Sequence, residues 1–368
     1  MTERASALRS ARVAVLSSQL WPGYNELWDA VEPEVGALTV IGARSDKDAG
    51  SAEPARVALR QMDLGRGLVW QHLVGLRRGL RAFRPDLVHV NRELWAVAAQ
   101  EVVGIDAAVV VHGAENLWDH GNGIEQYLRR RLVDRAVRRI RGYASWNHEG
   151  VEHVLRRRSE LGLAAVPTLV LPAIVPPTTF RDVSWQPSPP DPLDVLLVGR
   201  AVSAKGFQDV LEAADGVPGV RVTLCGEGPL LDDLRQMAHR HGVHLVTPGH
   251  LKPDALAALM SRSHVLVQPS RTTDDWAEQF GRSVAEAMTV GLPVLVSDSG
   301  ELPYLVGGDP EAIFPEGDGV VLRGHLQRLV AEPGSLGALG ARQRERARVW
   351  EPAVAGDALL GFWRQVLG

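Results

Sequence analysis

The segment WAEQFGRSVAEAMTVGLPVLVSDSGELP, residues 276–303, predicts a loop, a helix and a buried strand in immediate succession. We expect the helix to begin near Arg282, directly after Gly281. The apolar run from Pro293 to Ser297 lacks polar alternation, which is typical of a strand covered on both faces. A helix followed by such a strand is part of a βαβ unit, from which parallel α/β sheets are built.

Short β-branched runs of the same kind recur along the chain and alternate with helix-like stretches. The strands predicted from them are residues 12–16, 37–41, 87–90, 107–111, 168–171, 195–198, 220–224, 265–267 and 293–297. This alternation predicts an α/β fold of doubly wound parallel sheets, in which ligands bind at the carboxyl ends of the strands.

Segment 124–140 is the clearest predicted helix. Its apolar residues recur at four-residue spacing, and we expect them to form one stripe that faces the core. The stripe consists of Ile124, Leu128, Leu132, Ala136 and Ile140, with Val133 and Val137 beside it.

Prolines interrupt the chain near its middle, where residues 187–192 have the sequence PSPPDP. Proline removes a backbone donor and fixes φ, so neither a helix nor a central strand continues through it. The sequence therefore predicts a first domain at 1–182, a linker at 183–192, a second domain at 193–350 and a last helix at 351–368. We expect two Rossmann-like domains that face a cleft.

The composition is that of an ordinary globular protein, with 45% hydrophobic and 23% charged residues among 368, and a net charge of −4. Cys225 is the one cysteine, so no internal disulfide can form, and a reducing, cytoplasmic location is expected. The first residues are too weakly apolar to predict a signal peptide or a membrane span.

Two glutamates flank the predicted start of the helix, Glu278 before it and Glu286 about one turn inside it. The free N–H groups and the dipole of a helix N-terminus bind anions, and Gly281 permits a close backbone approach. Carboxylates repel a phosphate but accept hydrogen bonds from hydroxyl groups. The combination indicates a phosphate attached to a sugar, although two solvated glutamates beside an ordinary helix would look the same.

A basic pair follows the first strand of the second half, with Arg200 and Lys205 in one strand-to-helix loop. Arginine binds phosphate in a fork and lysine acts as a point charge, so the pair suits a diphosphate. Lys205 is one of only three lysines in the chain, which makes a merely solvated loop lysine a weaker alternative.

Four motifs in order, GR...KG at 199–206, GEGP at 226–229, EQFGRSVAEAM at 278–288 and GLPVLVSDSGELP at 291–303, resemble the C-terminal domain of retaining GT-B glycosyltransferases of family GT4. The resemblance covers residues 193–345. It implies that Arg200 and Lys205 hold the donor diphosphate and that Glu286 holds the ribose hydroxyls. It also implies that Glu278 faces the donor sugar, and that the amides of Phe280, Gly281 and Arg282 contact sugar and phosphate.

The first half resembles the family less closely. VVHGAENLW at 110–118 resembles the segment in which the family places a histidine near the donor sugar, which carries that role to His112. A capping or hydrogen-bonded histidine at a strand end is the alternative. The first loop keeps one glycine, Gly23, of the family's usual pair.

The resemblance further implies transfer with retention at the anomeric carbon, no cofactor and no essential metal. Asp46 and Asp48 nominally match an acidic metal-binding pair, but a solvated turn is the expected reading of that segment.

The expected partners are a nucleotide-sugar donor, with UDP favoured over GDP, and a glycan, lipid-linked or small-molecule acceptor. Arginine-rich segments 77–84 and 129–141 leave peripheral contact with the inner membrane face open, whereas nucleic acid is not expected. A nucleotide-sugar epimerase and a non-catalytic nucleotide-sugar binding protein remain alternatives. An NAD oxidoreductase is excluded because neither half has G-x-G-x-x-G after its first strand.

Overall fold

The structure, a computed structural model, describes residues 8–17, 22–43, 56–63, 71–116, 123–171, 178–187, 189–274 and 276–368. The chain divides into two compact units. Unit 1 comprises residues 1–175 together with 352–368, and unit 2 comprises residues 176–351.

Unit 1 contains a parallel seven-stranded sheet of order β3-β2-β1-β6-β7-β8-β9 and a small antiparallel pair, β4-β5. Its elements in chain order are β1 (Arg12–Leu16), α1 (Pro22–Val31), β2 (Ala37–Ala43), β3 (Arg56–Leu59), β4 (Gln61–Asp63), β5 (Gln71–Leu73), α2 (Leu76–Phe83), β6 (Leu87–Val90), α3 (Val97–Val102), β7 (Ala108–Gly113), α4 (Gly123–Val137), β8 (Gly142–Ser145), α5 (His148–Glu160) and β9 (Thr168–Val170). The strand order reverses between β1 and β6, as in a doubly wound sheet.

Unit 2 contains a parallel six-stranded sheet of order β12-β11-β10-β13-β14-β15. Its elements are α6 (Thr178–Arg181), β10 (Leu193–Val198), α7 (Phe207–Ala214), β11 (Val220–Cys225), α8 (Leu231–Arg240), β12 (His244–Val246), α9 (Pro253–Arg262), β13 (Val265–Gln268), α10 (Arg282–Val290), β14 (Val294–Ser297), α11 (Leu302–Leu305), β15 (Ile313–Phe314), α12 (Gly319–Ala331) and α13 (Gly334–Ala347). The predicted α/β class with two doubly wound parallel sheets is therefore confirmed.

The helix predicted at 124–140 exists as α4, but the stripe assigned to its core face is wrong in its first half. Val133, Ala136 and Val137 are buried, whereas Ile124 and Leu128 are 78% and 54% exposed. An α-helix turns by about 100° per residue, so each four-residue step rotates a side chain by about 40°. Over four steps the apolar stripe moves to almost the opposite side of the helix.

The segment predicted as a linker, 183–192, is attached to unit 2. Trp185 donates its backbone N–H to Val290 (2.9 Å) and its indole N–H to the carbonyl of Ser263 (2.8 Å). Gln186 donates its backbone N–H to the carbonyl of Ser261 (2.9 Å). These bonds extend unit 2 towards the N-terminus, and its boundary falls before α6, which packs on α9 and α10.

The last helix, α14 (Pro352–Leu367), belongs to unit 1 and packs on α1. Leu360 and Trp363 are buried among core residues of β1 and α1, including Val13 and Trp28. This core cluster therefore combines residues that precede unit 2 in the sequence with residues that follow it.

Candidate functional site

The loops after β10 and β13 meet at the carboxyl ends of these two central strands of the unit 2 sheet. Because the strand order reverses between these two neighbouring strands, the connections leave in opposite directions and open a crevice at the carboxyl ends. Gly206 ends the first loop with φ +63°, and a Cβ there would lie 1.8 Å from the carbonyl oxygen of Pro269. Glycine at 206 therefore allows the two loops to touch.

Lys205 and Glu278 lie in direct contact. Lys205 Nζ donates to Glu278 Oε2 at 2.6 Å, and the Ser270 hydroxyl donates to the same oxygen at 2.7 Å. Ser270 in turn accepts from Gln268 (2.8 Å), whose amide oxygen accepts from the hydroxyl of Ser283 (3.2 Å) in the first turn of α10. A continuous polar network thus joins the basic loop to the start of α10.

Helix α10 begins at Arg282, where the sequence predicts it. Its N-cap is Gly281 at φ +83°, and within the described part of the chain no side chain caps the helix. A Cβ at 281 would lie 2.7 Å from Leu302 Cδ2, so the position requires glycine by both φ and space. The side chain of Phe280 is buried, with its ring edge-on to Trp350, which leaves only its backbone for a ligand. The first amides of α10 are therefore suited to bind an anion.

Glu286 lies one turn inside α10 and is only 7% exposed. Its Oε1 is 3.5 Å from Arg282 Nε, and the Arg282 side chain is 54% exposed. Burial raises the pKa of Glu286 from its ordinary 4.5 to about 7, against the opposing charge of Arg282. A carboxyl group held in this way can accept hydrogen bonds from hydroxyl groups close to the helix N-terminus.

Arg200 is exposed, and its side chain makes no hydrogen bond or ion pair with the residues that the structure describes. Its loop is held by the GEGP motif, because Ala201 donates its N–H to the carbonyl of Glu227 at 2.9 Å. The motif's visible role is thus to support the backbone of the basic loop. Gly23 lies in the other unit, in the first turn of α1 after β1.

His112 is at the end of β7 in unit 1, and both of its ring nitrogens are bound. Trp363 donates to His89 Nδ1 (3.1 Å), His89 Nε2 lies 3.1 Å from His112 Nδ1, and His112 Nε2 lies 2.7 Å from the carbonyl oxygen of Leu171. A carbonyl oxygen can only accept a hydrogen bond, so His112 Nε2 carries a proton and donates it to Leu171. The same reasoning along the hydrogen bonds makes His89 Nε2 the donor to His112 Nδ1, and each ring carries one proton. Burial lowers the pKa of His112 to about 4 and that of His89 well below its ordinary value. For His112 Nε2 to contact a donor sugar, as predicted from the sequence, its hydrogen bond to the carbonyl of Leu171 must first break.

Sequence reasoning did not single out Ser270, which fixes Glu278, or Glu93, which lies just after β6. Glu93 Oε1 accepts from the backbone N–H groups of Ala114 (2.8 Å) and Glu115 (3.2 Å) and so holds the loop that follows His112. Burial raises the pKa of Glu93 to about 7. The available signal was position, since Glu93 and Ser270 lie three and two residues after the ends of buried strands.

Among the described residues, no group of three or more His, Cys, Asp or Glu side chains could hold a metal ion. The Asp46 and Asp48 pair lies outside the described residues. In the same part of the chain, no helix has the length and apolar character to cross a bilayer.

Comparison with solved structures identifies the class of fold to which the chain belongs. The fold is similar to that of HepE of Anabaena, solved in complex with UDP and glucose, with a TM-score of 0.68 at 16% identity, covering 95% of this chain and 98% of that one. The fold is accordingly the GT-B fold of glycosyltransferases.

The particular family follows from the sequence of unit 2. The family model described as Glycosyl transferases group 1 matches residues 181–347, and this part of the chain belongs to that family. The resemblance that the motifs indicated is thereby confirmed.

Two curated relatives are similar to part of the chain. The chain is 29% identical over 189 residues to sulfoquinovosyl transferase SQD2 of Arabidopsis thaliana, covering 48% of this chain and 36% of that protein. It is 30% identical over 146 residues to the GDP-mannose-dependent alpha-(1-6)-phosphatidylinositol monomannoside mannosyltransferase of Mycobacterium tuberculosis, covering 38% of this chain and 36% of that protein. The alignments thus span about a third of the length of these relatives.

Proposed function

We propose that the protein is a metal-independent, retaining glycosyltransferase that moves a sugar from a nucleoside diphosphate sugar to a hydroxyl group of an acceptor. The observation that carries this proposal is the network from Lys205 through Glu278 to Ser283. It places a cation, a carboxylate and an uncapped helix N-terminus together, and these are the groups that bind a diphosphate and a sugar.

Each group has a separate task in this reaction. Lys205, Arg200 and the first amides of α10 bind the diphosphate, and Glu286 accepts hydrogen bonds from the ribose hydroxyls. Glu278 is already held by Ser270, so it stays in place for the sugar hydroxyls when Lys205 turns to the phosphate. The roles of His112 and Gly23 near the donor sugar rest on the sequence resemblance, and Phe280 contributes its backbone.

The reaction breaks the bond between the anomeric carbon and the diphosphate oxygen and forms a bond from that carbon to the acceptor oxygen on the same face. The acceptor proton passes to the departing diphosphate oxygen. Cations fixed near that oxygen stabilise the charge that develops on it, which is the main catalytic effect available to this set of residues.

UDP is the proposed donor nucleotide, supported by the UDP bound to HepE, and a lipid-linked, glycan or small-molecule hydroxyl is the proposed acceptor. The relative from Mycobacterium tuberculosis is named for GDP-mannose, so both nucleotides belong in the test. The lone buried Cys225 supports a cytoplasmic location.

Incubation of the purified protein with a panel of UDP- and GDP-sugars tests the proposal. We expect release of nucleoside diphosphate that depends on an added acceptor, and a glycosidic product whose anomeric configuration, read by NMR, matches that of the donor. A sugar altered without any acceptor would instead indicate an epimerase, and binding without turnover would indicate a non-catalytic binding protein.

A further inference from the structure

Helix α4 carries an exposed apolar stripe that the core of unit 1 does not use. Ile124, Tyr127 and Leu128 are 78%, 56% and 54% exposed. They lie at i, i+3 and i+4, so they share one face of the helix. The buried side chains Val133 and Ala136 belong to the opposite face, because positions 124 and 133 differ by nine residues, or two and a half turns.

The exposed stripe continues along the helix as arginine. Arg131 and Arg135 follow Leu128 at the same helical spacing, and both are exposed. The guanidinium carbon of Arg131 lies 5.5 Å from the centroid of the Tyr127 ring, which keeps the cation beside the apolar group. One helix face therefore presents large apolar side chains and positive charge side by side.

The surrounding surface is also strongly basic. Residues 123–141 contain seven arginines against two acidic residues, a net charge of +5, and residues 76–84 add four arginines without an acidic residue, although the whole chain has a net charge of −4. Helix α2 is on the same side of the sheet as α4, because the buried residues of both belong to one core cluster. Arg77 bonds to α3 at the carbonyl of Glu101, and Arg135 bonds to α3 at the side chain of Gln100.

We propose that this face of unit 1, formed by Ile124, Tyr127, Leu128 and the arginines of 77–84 and 131–139, docks on the surface of an anionic lipid bilayer. The apolar side chains enter the boundary between headgroups and acyl chains, where the Tyr127 ring can keep its hydroxyl in water. The arginines then lie at the level of the anionic headgroups. Arg129 is not part of this surface, since it stacks on Trp95 and pairs with Glu115.

The apolar stripe favours a bilayer over the other partners of a basic surface. A nucleic acid backbone would use the arginines but would leave Ile124 and Leu128 in water. A second copy of the chain placed on the same face would bring two surfaces of like charge together. A bilayer satisfies both halves of the face, and this docking does not depend on the proposed transferase activity.

Co-sedimentation of the full chain with vesicles tests the proposal. We expect binding to phosphatidylcholine vesicles that contain phosphatidylglycerol, little binding to pure phosphatidylcholine, and weaker binding as salt is raised. Replacing Ile124 and Leu128 together by glutamate should lower the affinity by at least about tenfold. Replacing Arg131 and Arg138, which lie seven residues apart and are both exposed, together by serine should lower the affinity roughly 10- to 30-fold.

Matched controls come from unit 2. Val320→Glu changes an apolar side chain that is 79% exposed, as Ile124 is 78% exposed, and Arg235→Ser with Arg240→Ser removes two exposed cations from α8. Both controls should bind vesicles like the parent protein, and all variants should retain nucleotide affinity.

Equal effects of controls and test variants would overturn the proposal, as would equal binding to neutral vesicles. Tighter binding to RNA, unaffected by Ile124→Glu and Leu128→Glu, would assign the face to nucleic acid, and a dimer by light scattering that those changes dissolve would assign it to self-association.

Discussion

At the scale of single residues, the proposed function requires Lys205 to exchange partners when a nucleotide binds. Its ammonium group contacts Glu278, while Ser270 holds the same carboxylate oxygen. A diphosphate competes for the ammonium, and Ser270 leaves Glu278 anchored after the exchange. The Glu278 carboxylate is thus fixed by a hydrogen bond that does not depend on Lys205.

Replacing Lys205 by alanine should weaken nucleoside diphosphate binding roughly 10- to 100-fold, because one charge-assisted bond to the phosphate is lost. Calorimetric titration measures this, with Lys252→Ala as a control that removes another lysine of unit 2. His112→Ala, in unit 1, should reduce turnover with little change in affinity. Equal affinities for Lys205→Ala and Lys252→Ala would contradict the assignment.

Glu286 predicts a pH dependence near neutrality. Its pKa in the folded protein is about 7, above the ordinary 4.5. Between these two pH values the Glu286 carboxyl is ionised in the unfolded chain and protonated in the folded one. The free energy of unfolding therefore falls as the pH rises through this window. Ribose hydroxyls bond more strongly to the ionised carboxylate, so nucleotide affinity should rise from pH 6 to pH 8, with proton release on binding at pH 6. Titrations in buffers of different ionisation enthalpy detect the proton. Glu286→Gln should remove both effects, and a proton release that survives this change would assign it to another group.

At the scale of elements, the start of α10 depends on Gly281 for its conformation. Gly281→Ala places a Cβ at positive φ and against Leu302, and should destabilise unit 2 by more than the ~1–2 kcal/mol that a left-handed residue costs. It should also weaken nucleotide binding, because the first amides of α10 must shift. Thermal unfolding and titration provide the measurements.

Gly242→Ala is the matched control for this change. Gly242 also has a positive φ, 64°, but no atom lies within 4 Å of a Cβ built there. It should show the conformational cost and leave nucleotide affinity unchanged. Loss of affinity in both variants would mean that general destabilisation, rather than the helix start, is responsible.

The elements that sequence reasoning found are those with a strong local pattern. The start of α10 and the buried strands β1, β6 and β13 follow from apolar runs and from a glycine at a helix N-terminus. Strand β8 was missed because its sequence, GYAS, contains no β-branched residue, and β15 was missed because it has only two residues. The contact of Lys205 with Glu278 joins residues 73 apart in sequence, and the hydrogen bonds of Ser270 depend on packing, so no local pattern could show them.

At the scale of the whole molecule, the two units are tied by a chain that enters unit 2 at residue 176 and returns to unit 1 at residue 352. Trp363 is fully buried in unit 1 and donates to His89, so it links α14 to the histidine pair. Unit 1 therefore depends on residues that follow unit 2, whereas unit 2 is a continuous segment.

Trp363→Ala should destabilise unit 1 by about 3–5 kcal/mol, from lost burial and the cavity left behind. The unfolding transition of unit 1 should move to lower temperature, while nucleotide still stabilises unit 2 as in the parent protein. Calorimetry with and without nucleotide separates the two transitions. Val354→Ala, at a 44% exposed position of the same helix, is the control, and an equal loss of stability in both variants would contradict the account.

The return of α14 also sets an order of events during translation. The ribosome releases unit 2 as an uninterrupted stretch, which can fold as soon as it emerges. The first unit waits for the last sixteen-residue helix, and until then the hydrophobic surface around Val13 and Trp28 stays uncovered in the nascent chain. A premature stop codon ahead of that helix would accordingly yield a product in which unit 2 is folded and unit 1 exposes hydrophobic surface. Chaperones and proteases act on such a product.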